Sequence, residues 1–76
     1  MSRRLPIVSR REAVRAFEKA GFRTLERRGK GSHRAMARDD WAAILIIPDH
    51  REIKRGTLRV LIKQAGLSVE EFVKLL

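Results

Sequence analysis

Residues 39–48, DDWAAILIIP, contain the strongest strand signal in the chain. The two aspartates are typical of a turn, and residues 41–47 are apolar and rich in the β-branched side chains that strands favour. Pro48 has no N–H with which to continue a sheet ladder, so the strand is expected to end before it. We therefore predict a turn followed by a strand over 41–47.

The residues before this strand predict its partners. Phe, Thr and Leu occur among charged side chains over 22–28, and the Gly-Lys-Gly at 29–31 offers the backbone freedom of a turn. Residues 32–38 then lead into the aspartate turn. We expect a β-hairpin here, and with the strand over 41–47 it makes a three-stranded antiparallel sheet.

A helix is predicted ahead of the hairpin. Ser9 and Glu12 have the spacing of a capping box, in which each residue's side chain satisfies the other's backbone N–H. Apolar residues then recur at helical spacing until Gly21, which is typical of a helix end. The expected helix spans about 10–20.

Two more helices are predicted after the strand. Thr57 is a candidate N-cap for a helix that ends near Gly66, and its apolar residues are Leu58, Leu61, Ile62 and Ala65. Ser68 and Glu71 repeat the capping-box spacing before a short C-terminal helix whose apolar stripe is Val69, Phe72, Val73 and Leu76.

These elements predict one α+β domain over residues 1–76. The order is α-β-β-β-α with a short extra C-terminal helix, and the helices are expected to pack on one face of the sheet. Double-stranded-RNA-binding domains are built in this way. The three phenylalanines are expected in the core, whereas Trp41 is expected at its edge with its N–H in water, base stacking being the alternative.

Positive charge is concentrated in one half of the chain. Residues 1–38 hold twelve Lys or Arg against three Glu and account for the whole formal net charge of +9, because residues 39–76 hold six of each sign. Thirteen of the eighteen basic residues are arginine, which binds phosphate through two hydrogen bonds and stacks on bases. Nucleic acid is the favoured partner; a solvated basic surface is the alternative.

Other classes are disfavoured by composition. The sequence has no cysteine and only two histidines, so we expect neither a disulfide framework nor a Cys/His zinc site, and no metal or cofactor. The basic N-terminal residues precede no long apolar run, and the helix over 10–20 has too few large apolar groups to lie on a membrane. We expect a cytoplasmic protein.

The two histidines are the leading candidates for acid–base chemistry, because an imidazole can accept and return a proton near neutral pH. His33 is the candidate general base for removing the proton of an RNA 2′-hydroxyl, so that this oxygen attacks the adjacent phosphorus. Candidates for holding the phosphate are its neighbours in sequence, namely Arg28, Lys30, Gly31, Ser32 and Arg34. Taken alone, however, Gly-Ser-His is a common tripeptide, and a structural or merely exposed histidine is the usual interpretation.

His50 has three interpretations. It can donate a proton to the leaving 5′-oxygen, bind an RNA phosphate, or hydrogen-bond within the loop over 48–55. We favour the structural or RNA-binding role over that of the general acid.

Four segments, in order and spacing, resemble the HicA family of toxin ribonucleases. They are KGSH at 30–33, IPDH at 47–50, KRGTL at 54–58 and IKQAGLS at 62–68. The resemblance covers most of residues 9–76 and implies an mRNA interferase of a type II toxin–antitoxin pair. It also implies that His33 is the catalytic histidine and that the partner is a HicB-type antitoxin, with which the chain forms a hetero-oligomer.

Two alternatives to a ribonuclease stay open. A non-catalytic RNA-binding domain would use the same basic surface and fold, and a protein-interaction module would use the second or third helix. If the chain is a toxin, we expect its antitoxin to cover the basic hairpin and His33, because that half carries the net positive charge.

Overall fold

The computed structural model of the chain describes residues 5–25, 34–48 and 50–76. Its elements are, in chain order, strand β1 (Val8–Ser9), helix α1 (Arg10–Lys19), strands β2 (Arg23–Thr24), β3 (Arg34–Arg38), β4 (Trp41–Ile47) and β5 (Glu52–Ile53), and helices α2 (Arg55–Gln64) and α3 (Val69–Leu75). The α+β class and a three-stranded antiparallel sheet in the order β2-β3-β4 are confirmed. The sequence did not reveal a second sheet, in which β1 pairs with β5.

Helix α1 begins and ends where its sequence signals predict. The Ser9 hydroxyl accepts a hydrogen bond from the Glu12 N–H, and the Glu12 carboxylate accepts one from the Ser9 N–H, which completes the capping box. Gly21 follows the helix with φ +102°, a conformation that a side chain disfavours. The buried face of α1 consists of Ala13, Val14, Ala16 and Phe17.

Helix α2 starts earlier than the sequence predicts. Its N-cap is Lys54, which forms no side-chain capping bond, so the assignment of Thr57 as N-cap is wrong. The reason is that the segment leading into α2 is anchored from elsewhere: β5 pairs with β1, and Arg55 Nε donates a hydrogen bond to the Leu5 carbonyl oxygen at 2.7 Å. The predicted exit is confirmed, since Gly66 has φ +76°.

The central sheet buries one face only. Strands β3 and β4 place Met36 opposite Leu45, and both side chains are buried, as is Ile47. Ile44 and Ile46, which alternate with them along β4, are exposed. The pairing has a register irregularity between Met36 and Arg38, close to the aspartate turn. Side chains therefore alternate between core and solvent along β4, as expected for a half-buried strand.

The aromatic core joins α1 to α3. Phe17, Phe22 and Phe72 are all buried, as predicted, and the Phe17 ring lies 5.1 Å from that of Phe72 and 6.2 Å from that of Phe22, centroid to centroid. A complete capping box between Ser68 and Glu71 starts α3. The short C-terminal helix is thus fixed both by its cap and by a ring contact with α1.

Trp41 is 43% exposed, and its N–H has a partner within the protein where the sequence predicts contact with water. The indole N–H donates a hydrogen bond to the Gln64 carbonyl oxygen at 2.6 Å. The sequence does not reveal this bond, because it joins residues far apart in the chain. Across the part of the chain that the structure describes, no helix is long and apolar enough to cross a membrane.

Candidate nucleic-acid interface

Most of the predicted site lies in a segment that the structure does not describe. His33 and four of its predicted neighbours, Arg28, Lys30, Gly31 and Ser32, are outside the described residues. Two members of the set are described: Arg34, half-buried at the first position of β3, and His50, exposed after the end of β4. The roles assigned to all seven residues stay predictions.

The register of β3 against β4 sets an upper limit on the distance between Arg34 and His50. Arg34 pairs with Ile47, so the start of β3 and the end of β4 lie together at the open end of the β3–β4 hairpin, away from its aspartate turn. This open end is called the hairpin end below. Paired Cα atoms lie about 5.5 Å apart. The three residues from Ile47 to His50 add at most about 11 Å of extended chain. The Cα atoms of Arg34 and His50 are thus separated by no more than about 16 Å. His33 directly precedes Arg34 in the sequence, so the hairpin end is the part of the described fold nearest to it along the chain.

A cleft of about 530 Å³ opens beside His50. The residues that line it are Ser9, Arg10, Arg11, His50 and Arg51. They come from two separate segments, the start of α1 and the chain after β4. Among the residues that the structure describes, those lining the cleft are basic or neutral and none is acidic. Such a surface is chemically suited to an anion.

Backbone pairing holds the two walls of this cleft together. The Arg10 N–H donates a hydrogen bond to the Arg51 carbonyl oxygen at 3.3 Å, and Ser9 pairs with Glu52 in the β1–β5 ladder. Ser9 is also the N-cap of α1. The small second sheet therefore fixes the position of the first helical turn relative to His50 and Arg51.

His50 also lines a second cleft, of about 500 Å³, on the side facing α2. The residues lining this cleft are Pro48, His50, Arg51, Glu52, Lys54 and Thr57. Here Glu52 contributes a carboxylate, which makes the second cleft less favourable to an anion than the first. His50 and Arg51 form the boundary between the two.

The arginines at the other end of the β3–β4 hairpin, beside the turn at Asp39 and Asp40, form ion pairs. Arg23 pairs with Asp39, and Arg38 pairs with Asp40 through two hydrogen bonds. These bonds from Arg38 lower the pKa of the Asp40 carboxyl below its usual value, and the same contact raises the pKa of Arg38. Arg38 also donates a hydrogen bond to the Ala20 carbonyl oxygen at the end of α1. The acidic turn thus neutralises this end of the sheet.

The arginines near His50 and at the start of β3 differ from Arg23 and Arg38. Arg11, Arg34 and Arg51 form no ion pair with any carboxylate in the described ranges. All three belong either to the cleft beside His50 or to the hairpin end that contains Arg34. This side of the molecule therefore carries positive charge that no described carboxylate neutralises through an ion pair.

The sequence predicts roles for Arg34 and His50, which stay predictions, and does not single out Arg11 and Arg51, which line the cleft. The signal that could have found them is the pairing of β1 with β5, which places the start of α1 beside residues 50 and 51. Strands of two residues are too short for an alternation of apolar and polar side chains to be recognised. The missed residues became visible only with the tertiary structure.

The fold and its charged surface define the class of this protein as a small, basic α+β domain whose three-stranded sheet resembles that of double-stranded-RNA-binding domains. A family model described as "HicA toxin of bacterial toxin-antitoxin" matches residues 10–67, well over half of the chain. The chain therefore belongs to the HicA family and is a toxin of a toxin–antitoxin system. No curated protein matches it.

Proposed function

We propose that this HicA-family toxin is an endoribonuclease that cleaves mRNA with His33 as the general base and that a HicB-type antitoxin neutralises it. The observation that carries the proposal is the family match over residues 10–67, which includes His33, His50 and Arg34. Arg11 and Arg51, which form no ion pair with a described carboxylate, support an RNA substrate, because RNA binding draws on positive charge that is not already neutralised.

The proposed reaction is an internal transfer within the RNA. His33 takes the proton of a 2′-hydroxyl, the 2′-oxygen forms a bond to the adjacent phosphorus, and the bond from phosphorus to the 5′-oxygen breaks. The leaving 5′-oxygen receives a proton from a general acid. The products are a 2′,3′-cyclic phosphate and a free 5′-hydroxyl, so atoms and charges balance without a co-reactant.

Phosphate contacts supply the electrostatic part of this mechanism. Arg34 lies at the hairpin end adjoining His33 in the sequence, and Arg28, Lys30, Gly31 and Ser32 are proposed to complete the phosphate-binding group. Cations placed at the five-coordinate phosphorus stabilise the negative charge that develops there. We assign His50 to RNA binding, because it is exposed and lines the basic cleft.

The test is a cleavage assay in EDTA. Purified protein is incubated with an RNA oligonucleotide and with the same oligonucleotide carrying 2′-deoxy residues, and His33→Ala and His50→Ala are assayed beside the wild type. Cleavage of RNA alone, with the rate reduced about 10²–10⁴-fold in His33→Ala, supports the proposal. His50→Ala is the matched histidine control, and its rate is expected to fall less than that of His33→Ala.

Two results would overturn the assignment. Undiminished cleavage by His33→Ala removes this residue from the mechanism, and tight RNA binding without any cleavage favours a non-catalytic RNA-binding domain. Neutralisation is tested separately by adding the antitoxin encoded beside the toxin. We expect the complex to exclude RNA from His33, and a complex that still binds and cleaves RNA would contradict this part.

A further inference from the structure

We propose that the cleft beside His50, between the first turn of α1 and residues 50–51, binds a backbone phosphate of the RNA away from the bond that is cleaved. The groups that bind it are the guanidinium side chains of Arg11 and Arg51. This inference rests on the proposed function in one respect, namely that RNA is the substrate. It adds a binding site that is separate in sequence from His33 and its neighbours.

The chemistry of the cleft favours phosphate. Arginines from two separate segments line it, and a guanidinium donates paired hydrogen bonds that match phosphate oxygens. Neither Arg11 nor Arg51 is paired with a carboxylate in the described part of the chain, so a ligand need not displace an existing ion pair. Both residues are exposed, which leaves their side chains accessible to a polymer.

The two carboxylates that lie nearest to these arginines in the described sequence, Glu12 and Glu52, are directed elsewhere. Glu12, in the same helical turn as Arg11, accepts a hydrogen bond from the Ser9 N–H at 2.9 Å and is held in the capping box. Glu52 follows Arg51 directly but lines the second cleft. Neither of these two described carboxylates therefore forms an ion pair with Arg11 or Arg51.

The position of the cleft fits an extended RNA strand. His50, on its wall, lies three residues beyond Ile47, which pairs with Arg34. With Arg34 and His50 separated by no more than about 16 Å between Cα atoms, a strand held at the hairpin end can reach the cleft within a few nucleotides. A fixed second contact sets the register of the strand without reading its bases.

The walls are also preorganised. The β1–β5 pairing and the bond from the Arg10 N–H to the Arg51 carbonyl oxygen hold the start of α1, which contains Arg11, beside Arg51 in the absence of ligand. Binding then requires ordering of the side chains alone, which lowers its entropic cost. This distinguishes the cleft from basic side chains scattered on an otherwise unconnected surface.

The experiment measures binding to a 2′-O-methyl RNA oligonucleotide, which lacks the attacking hydroxyl and is not cleaved. Dissociation constants are measured from 50 to 300 mM KCl for the wild type, R11Q/R51Q and R59Q/K74Q. The last variant removes the same charge from exposed positions outside the cleft. R11K/R51K keeps the charge but loses the planar donor geometry, and urea unfolding confirms that every variant is folded.

Loss of one phosphate contact has a defined signature. In R11Q/R51Q the slope of log K against log salt should decrease in magnitude by about 0.7, the value for one phosphate of a single strand. Affinity at low salt should fall about tenfold, as expected for a lost charge-assisted contact. R59Q/K74Q should keep the wild-type slope, and R11K/R51K should keep the slope while losing part of the affinity.

Equal losses in R11Q/R51Q and R59Q/K74Q would overturn the inference, because they would reflect net charge alone. So would an unchanged RNA affinity accompanied by weaker antitoxin binding, which would assign the cleft to the protein partner. Absence of RNA binding by the wild type overturns it as well. If the wild type binds with the expected slope but does not cleave unmodified RNA, the cleft stands and the ribonuclease proposal fails.

Discussion

The indole N–H of Trp41 donates a hydrogen bond to the Gln64 carbonyl oxygen at 2.6 Å and so joins the first residue of β4 to the last residue of α2. The same ring lies against Gly66, where an added Cβ would come within 2.7 Å of the indole Cζ2. The Trp41 side chain thus bonds to the last residue of α2 and also leaves no room for a side chain at position 66. Since β4 leads to His50, this contact helps to hold the sheet against the helix that flanks the candidate interface.

Replacing Trp41 with Phe should destabilise the protein by about 1 kcal/mol, because an aromatic ring is retained while the bond to the Gln64 carbonyl is lost. Val60→Ala, at another exposed apolar position, serves as the control and should change stability by less than about 0.5 kcal/mol. Urea unfolding followed by circular dichroism makes the comparison, because Trp41 is the only tryptophan and its removal abolishes the fluorescence signal. Equal unfolding midpoints for W41F and wild type would contradict a role for the bond.

Gly66→Ala should be more damaging than Gly56→Ala. Gly66 has φ +76° and faces the Trp41 ring, so an alanine there incurs about 1–2 kcal/mol of backbone strain as well as the clash. At Gly56, in the first turn of α2, an added Cβ has nothing within 4 Å, and alanine should stabilise the helix by up to about 1 kcal/mol. Adding W41A to G66A should recover part of the loss, and strictly additive effects of the two changes would contradict the clash.

The elements that the sequence predicted well are those whose signals are local. The capping boxes at Ser9 and Ser68, the apolar run of β4 and the glycines after α1 and α2 each act within a few residues, and the structure confirms them. The start of α2 was misassigned because a tertiary contact, from Arg55 to Leu5, fixes it instead of a capping side chain. The Trp41 bond was missed for the same reason: its acceptor lies on another element.

The alternation along β4 predicts opposite outcomes for two adjacent isoleucines. Ile47 is fully buried, so Ile47→Val should cost about 0.5–1.5 kcal/mol through the lost methylene and the cavity it leaves. Ile46 is 50% exposed, and Ile46→Val should stay within about 0.5 kcal/mol of wild type. The two variants carry the same chemical change one position apart, so they test the strand register directly. A larger loss for I46V would mean that β4 faces the other way.

The ion pair between Arg38 and Asp40 should make the free energy of unfolding depend on pH in the acid range. Hydrogen bonding from Arg38 lowers the pKa of the Asp40 carboxyl in the folded state. The stability that this carboxylate contributes is therefore fully present above the ordinary aspartate pKa of about 3.9. This contribution is lost as the pH falls through the lower pKa that Asp40 has in the folded state. Both D40N and R38Q should therefore flatten the decline of the urea midpoint below about pH 4. The double variant should flatten it no further, and an unaltered acid profile in D40N would refute the linkage.

How far the site was predictable depends on how far its residues are from one another in the chain. The cluster around His33 was assigned from contiguous residues and from the family resemblance, and its roles stay predictions because those residues lie outside the described ranges. Arg11 and Arg51 are forty residues apart in the sequence and line the same cleft because β1 pairs with β5. Charge patterning indicated that the first half of the chain is basic, but the topology decides which of its arginines share a surface with Arg51.

Arg34 should contribute to RNA affinity in its own right. It is the described arginine at the hairpin end, it opposes Ile47, and it forms no ion pair with a described carboxylate. If it contacts one phosphate, R34Q should reduce the salt slope of binding by about 0.7, whereas R23Q, at a position already neutralised by Asp39, should leave it unchanged. Binding of the 2′-O-methyl RNA by R34Q, R11Q/R51Q and the triple variant then separates the two sites. Independent phosphates give additive losses in slope, whereas a triple variant no weaker than R11Q/R51Q would mean that Arg34 does not touch the strand.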